Sequence, residues 1–218
     1  MSEQPTVFLV DDDEAVLKSV GRLLRSNGVR VLPFNSSAEF LRAVTQSVPG
    51  CILLDFGMPD FNGLEVQRRL GASGCAQPVI FLTGQADIPI TVEAMKGGAI
   101  DFLTKPVDEA ALLASVKTAF ARDAALREAA AGLREYRERL ATLTPREREV
   151  MELVVEGLLN KQIGLELGTV EKTIKVHRAR VMEKMGVESL AELVRIASAL
   201  GIGEPPRPLR PGDAPPRI

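Results

Sequence analysis

Residues 51–65 read CILLDFGMPDFNGLE. Four consecutive apolar side chains, Cys51 to Leu54, run straight into a carboxylate, and Gly57 and Pro59 follow as turn residues. Apolar character at every position, rather than at alternate ones, is the pattern of a parallel strand covered on both faces. Asp55 therefore stands at the carboxyl end of a central strand.

Similar runs recur on either side, at residues 7–10, 29–34, 79–82 and 101–104. Amphipathic helical patterns lie between and after them, at 14–26, 38–46, 64–71, 90–97 and 109–120. Regular strand–helix alternation predicts an α/β doubly wound sheet, and five such units in about 120 residues predict a flavodoxin-like, five-stranded parallel domain over residues 1–120.

The rest of the chain has a different grain. Residues 121–141, ARDAALREAAAGLREYRERLA, hold few breakers and predict a helical linker. Leu126, Leu133 and Leu140 fall seven apart, with Ala129 and Tyr136 three after the first two. That spacing fits a short self-association seam, and equally a solvated helix with incidental leucines. Residues 142–202 predict a small all-α domain of four short helices. Thr144 to Glu147 and Ser189 to Glu192 are candidate capping boxes, and Gly157 and Gly168 are candidate helix ends. Residues 203–218, GEPPRPLRPGDAPPRI, are too rich in proline to predict a fold, and a disordered tail is expected.

Apolar content of 45% and charged content of 26% exclude a chain disordered throughout. The two cysteines, Cys51 and Cys75, are far apart and match no metal spacing, so both are expected as free thiols. The first six residues lack a basic start followed by an apolar stretch, and no apolar run is long enough for a bilayer. A cytoplasmic chain with no membrane partner is expected. Net charge is −2, but it is unevenly placed. Residues 1–120 carry ten Lys and Arg against fourteen Asp and Glu, whereas residues 172–184 carry five Lys and Arg against Glu183 alone.

In an open parallel sheet, ligands bind beyond the carboxyl ends of the strands. The first strand ends at Asp11, Asp12 and Asp13, the third at Asp55, the fourth at Thr83, and the fifth at Lys105-Pro106. Singly, Asp55 and Thr83 pass as turn residues, and Asp13 reads as the N-cap of the next helix. Together at four strand ends they describe a chemical site. Crowded carboxylates call for a cation, and hard oxygen ligands suit magnesium. A carboxylate there can act as a nucleophile toward phosphorus, with Asp55 the natural candidate and Thr83 and Lys105 placed to bind phosphoryl oxygens.

The segments VFLVDDDEAV, CILLDFGMPDFNGLE, PVIFLTG and DFLTKP together resemble a response-regulator receiver domain over roughly residues 5–120. The resemblance implies that Asp11 and Asp12 hold magnesium with Asp55 and the Gly57 backbone carbonyl, and that Asp55 accepts phosphate. It further implies that Thr83 is the switch hydroxyl, Lys105 the essential lysine, Phe102 the rotating aromatic, and Lys105-Pro106 a cis peptide. Gly57 and Gln85 occupy the positions whose side chains flank the attacking water in the family. Gly57 offers none, so the lifetime of an aspartyl phosphate does not follow from the resemblance.

Residues 160–185, NKQIGLELGTVEKTIKVHRARVMEKM, predict a helix, a turn at Gly168-Thr169 and a second helix. In that second helix Val170, Ile174, Val181 and Met185 recur at core spacing, Lys172, Lys175 and Arg178 form a basic stripe, and Thr169 is a candidate cap. The wider stretch, LTPREREVMELVVEGLLNKQIGLELGTVEKTIKVHRARVMEKMGV, is similar to the LuxR-type helix-turn-helix of the FixJ/NarL response regulators. That resemblance places Lys172, Lys175, Val176 and Ala179 toward bases, and Asn160, Lys161, Thr173, His177 and Arg180 toward the backbone of double-stranded DNA. Leu190, Leu193, Val194 and Ala197 share one face of the last helix, for dimerisation or for packing.

The expected function is a two-component transcription factor: a sensor histidine kinase phosphorylates Asp55, the chain dimerises and binds DNA, and RNA polymerase is a further partner. No enzyme activity is expected beyond the receiver's own phosphorylation and dephosphorylation. Two rivals are an aspartyl-phosphate phosphatase, which needs a general acid where Gly57 stands, and an adaptor whose helical domain binds polypeptide.

Overall fold

The computed structural model describes residues 4–44, 48–84 and 88–203. The chain divides into two compact units between Glu128 and Ala129. Gln46, Gln85 and the tail from residue 204 lie outside the described residues.

The first unit follows the strand–helix alternation. It comprises β1 (Thr6–Val10), α1 (Glu14–Ser26), β2 (Arg30–Phe34), α2 (Ser37–Ala43), β3 (Gly50–Asp55), α3 (Gly63–Ala72), β4 (Val79–Thr83), α4 (Ile88–Lys96) and β5 (Asp101–Thr104). All neighbouring strands pair in parallel, in the order β2-β1-β3-β4-β5. Every residue of β1, β3 and β4 is buried, as the unbroken apolar runs require of strands covered on both faces. Alternate side chains feed two separate cores. Phe8, Val10, Ile52, Leu54 and Phe81 pack with Phe40, Val66 and Ala94 on one face. Val7, Leu9, Leu53, Ile80 and Leu82 pack with Leu24, Leu112 and Val116 on the other. Edge strand β2 is more exposed and carries Pro33, which has no N–H to offer a further strand.

Capping sets the helix starts. Asp13 accepts from the Ala15 amide at 2.7 Å, the N-cap role expected of it. Ser36 and Asn62 start α2 and α3 in the same way, each accepting from an amide three residues on.

Helix α5 (Glu109–Ala141) is one element of 33 residues, where the sequence suggested a helix ending near residue 120 and a separate linker. Nothing in residues 121–126 breaks it: ARDAAL is all helix formers apart from Asp123. The heptad leucines do not share one environment. Leu126 is half-buried in the first unit, whereas Tyr136 and Leu140 pack into the core of the second. That packing accounts for the carboxyl-terminal part of the seam without a second chain.

The second unit continues with α6 (Pro145–Val155), α7 (Asn160–Glu166), α8 (Glu171–Met185) and α9 (Leu190–Ala199) around Val150, Met151, Ile163, Ile174, Val181 and Leu193. Thr144 and Glu147 form the full capping box. Gly157 and Gly168 follow α6 and α7 with φ of 91° and 64°, the left-handed turn that ends a helix. Three local expectations need correction. Glu192 returns its carboxylate to the amide of Glu188, not Ser189, so the second box is only half formed. Val170 is 66% exposed and serves as the N-cap of α8, one residue too early to face the core. Consequently Thr169 does not cap α8, which has no side-chain cap, and the Thr169 amide instead bonds to the Gly164 carbonyl. Among the described residues no helix is long and apolar enough to cross a membrane.

Candidate functional site

Sheet register brings the acidic residues together. Val10 pairs with Leu54, so Asp11 and Asp55 follow side by side at the carboxyl ends of β1 and β3. Thr83 ends β4 opposite Thr104, and the Lys105 amide bonds to the Thr83 carbonyl at 2.7 Å. Asp11, Asp55 and Thr83 are all buried, while Asp12 is exposed beside them. Carboxylate oxygens of Asp11, Asp12 and Asp55 lie within 4.8 Å of one another.

Lys105 Nζ lies 2.6 Å from Asp55 Oδ1 and 2.6 Å from Asp11 Oδ2. The contact with Asp55 has hydrogen-bond geometry. The contact with Asp11 is an ion pair, and Asp11 Oδ2 has no further hydrogen-bond partner among the described residues. The remaining oxygens are held by backbone: Asp11 Oδ1 accepts from the Asp13 amide at 3.0 Å, and Asp55 Oδ2 from the Gly57 amide at 2.8 Å.

Burial raises the pKa of Asp11 above the ordinary carboxyl value; Lys105 and the Asp13 amide oppose the rise, and the Asp55 charge adds to it. Burial works against the charge on Lys105, but the two carboxylates outweigh it and raise its pKa, so it remains an ammonium. Three carboxylates against one ammonium leave an excess of negative charge. The clustered carboxylate oxygens of Asp11, Asp12 and Asp55 fit a divalent cation with hard oxygen ligands.

Phe102 is half-buried in β5, with its ring centroid 6.0 Å from that of Phe81. Lys105-Pro106 is a cis peptide. Gly57 is exposed, and a Cβ placed there would stand 3.7 Å from Asp55 Oδ2.

In the second unit, Lys172, Lys175, Val176 and Ala179 are exposed at intervals of three and four along α8, opposite buried Ile174, Val181 and Met185. They form one face, bounded by Glu183 a turn further on. Lys175 pairs with Glu171 at 3.1 Å on the open surface. Lys161 and Arg180 are exposed, and Asn160, Thr173 and His177 half-buried. His177 Nδ1 is buried without a hydrogen-bond partner among the described residues. One basic residue of the expected stripe turns inward, since Arg178 donates to Asn160 Oδ1 at 3.1 Å; nearer the end of the helix, Lys184 Nζ bonds to Glu147 Oε2 at 2.6 Å. On α9, Leu193 and Ala197 are core, the packing role, while Leu190 and Val194 stay 39% and 37% exposed.

Sequence reasoning missed several residues that hold these sites. Ser36 Oγ donates to Asp60 and the Phe61 amide donates to Ser37 Oγ, fastening the loop after Asp55 to the start of α2. Asp123, 4% exposed on α5, accepts from the Gly50 amide and from Arg127, whose guanidinium also reaches the Val48 carbonyl. A signal existed, since Asp123 falls seven after Val116 and four after Ala119 on the buried face.

A family model described as the response regulator receiver domain matches residues 7–117. A second, described as bacterial regulatory proteins of the luxR family, matches residues 141–197. Nodulation protein W of Bradyrhizobium diazoefficiens is 44% identical over 201 residues, covering 92% of this chain and 88% of that protein. The transcriptional regulatory protein FixJ of Azorhizobium caulinodans is 44% identical over 202 residues, covering 93% and 96%. Among solved structures, the response regulator StyR aligns with a TM-score of 0.75 at 42% identity, over 90% of this chain and 99% of that one.

Proposed function

Because the chain belongs to the response regulators, as a two-component transcription factor with a receiver domain and a LuxR-type DNA-binding domain, we propose that Asp55 is its phosphoacceptor and that phosphorylation there governs dimerisation and DNA binding. A receiver implies a sensor kinase as phosphodonor, and the helix-turn-helix implies DNA as the target. The single observation that carries the proposal is the meeting of Asp11, Asp55 and Lys105, from three strand ends, within 2.6 Å contacts.

One oxygen of Asp55 attacks phosphorus as the bond to the donor nitrogen of a kinase histidine breaks, and that nitrogen keeps the electron pair. Lys105 pairs with a phosphoryl oxygen, and Thr83 donates its hydroxyl to another. Asp11, Asp12, Asp55 and the Gly57 carbonyl would hold magnesium. When bound, the ion neutralises charge on the transferred group. Thr83 and Phe102 then adjust to the phosphoryl group, and this shifts a two-state equilibrium toward a dimer. Gly57 leaves the face beside Asp55 open, and nothing on that residue screens the phosphoryl group from water.

Lys172, Lys175, Val176 and Ala179 face bases in the major groove, and Lys161, Thr173, Arg180, His177 and Asn160 stand toward the backbone. The exposure of the first four on one helical face supports that assignment; the Arg178–Asn160 bond makes Asn160 partly an internal brace. The protein acts in the cytoplasm, with RNA polymerase as the partner through which bound DNA is read out.

The test is chemical mapping. Incubation with acetyl phosphate and magnesium should add one phosphoryl group, located by mass spectrometry on Asp55. Labelling that persists at the wild-type rate in Asp55→Asn would refute the assignment.

A further inference from the structure

We infer that Arg139 is a positioning residue of the DNA reader, clamping the carboxyl end of α8 from outside the segment that matches the luxR family; the inference rests on the DNA-binding reading above. That match begins at residue 141, and composition alone makes residues 121–141 a linker.

The last carbonyls of a helix have no partner within it. In α8 the amides of Gly186 and Val187 take up Glu183 and Met182. Arg139 takes the last one: its Nη1 donates to the Met185 carbonyl at 2.9 Å. A guanidinium at this end also complements the helix dipole. The arginine is itself held in place. Its Nη2 pairs with Glu135 Oε1 at 2.7 Å, and its guanidinium lies 5.5 Å from the centre of the Tyr136 ring, which packs in the core of the same unit.

Gly186 makes room for this. Its φ is 65°, a conformation that disfavours side chains, and a Cβ there would stand 2.0 Å from Arg139 Nη1. The glycine thus serves both the turn and the clamp. One residue before Met185, Lys184 is tied to Glu147 on α6. The end of α8 is therefore gripped from two elements.

The consequence lies at the other end of the helix. Lys175 is ten residues from Met185, about 15 Å along the axis at 1.5 Å per residue. A tilt of about 5° at the clamp would shift the reading residues by about 1 Å, enough to spoil paired hydrogen bonds to a base edge. With Nη1 directed to Met185 and Nη2 to Glu135, Arg139 acts on DNA through α8.

The test uses the full chain and a duplex that the wild-type chain selects from a random-sequence pool. Arg139→Gln should weaken binding about tenfold, the scale of one charge-assisted hydrogen bond, with the slope of affinity against salt unchanged. Arg139→Lys, which can still reach a carbonyl, should recover part of the loss. Gly186→Ala, which both displaces the guanidinium and strains the turn, should weaken binding at least as much. Binding of Arg139→Gln within twofold of wild type overturns the inference. So does a salt slope lower by about one, which would make Arg139 a phosphate contact. A wild-type chain that selects no duplex overturns instead the DNA-binding reading beneath it. Arg139→Lys keeps the charge and the stem, so the comparison stands even if the glutamine variant folds poorly.

Discussion

Lys105 reaches from the end of β5 to within 2.6 Å of both Asp11 and Asp55, so one ammonium joins carboxylates that end two other strands. The fold tolerates buried Asp11 and Asp55 side by side because this cation lies between them. Removing it should separate two roles. In Lys105→Met the pocket gains net negative charge, so magnesium affinity should hold or rise. Phosphorylation of Asp55 by acetyl phosphate should slow about a hundredfold, the scale set by losing one electrostatic partner of the reacting group. Magnesium titration and phosphate-affinity gels measure the two separately.

Asp12 differs from Asp11 in being exposed. Asp12→Asn should leave the fold and its thermal transition unchanged while weakening magnesium binding on the order of tenfold. Loss of thermal stability, or unaltered magnesium affinity, would remove Asp12 from the ligand set.

Asp123 carries a stability prediction. Its carboxylate satisfies the Gly50 amide at the start of β3 and holds Arg127. Asp123→Ala leaves a buried amide without its acceptor and removes the carboxylate that pairs with Arg127, at a cost of about 2–3 kcal/mol to the first unit. Asp123→Asn keeps an acceptor and should cost less. Urea unfolding followed on that unit measures both.

The Glu147–Lys184 pair gives a pH dependence. Lys184 first, and then the Thr144 amide, lower the Glu147 pKa from 4.5 to about 2. Folding therefore disfavours protonation of this group. Its contribution to stability is present above the unfolded value of 4.5 and is lost as pH falls through the folded value near 2. Denaturant midpoints of the wild-type chain should fall across that window more steeply than those of Glu147→Gln. Parallel curves would show that the pair adds no pH dependence.

The parts legible in the sequence were those written as local pattern. Unbroken apolar runs located the strands, and in a doubly wound sheet strand ends are where ligands bind, so Asp11, Asp55, Thr83 and Lys105 could be gathered without coordinates. Gly157 and Gly168 marked helix ends because a left-handed residue there favours glycine. What escaped was set by tertiary contact. Val170 fits a core period but precedes the first turn of α8, so it faces solvent. Arg178 looks like part of a DNA-facing stripe, yet Asn160 claims it, as Glu147 claims Lys184, and neither partner can be chosen from spacing. Arg139 and Asp123 sit in a stretch whose helix-forming composition conceals two side chains with specific partners.

The most direct measurement is the affinity of the full chain for its selected duplex, with and without acetyl phosphate and magnesium, in the wild type and in Asp55→Asn. Phosphodonor should tighten wild-type binding and raise the apparent mass of the complex to that of a dimer, and Asp55→Asn should show neither change. Equal tightening in Asp55→Asn, or wild-type binding that ignores the phosphodonor while Asp55 is fully phosphorylated, would contradict control through Asp55.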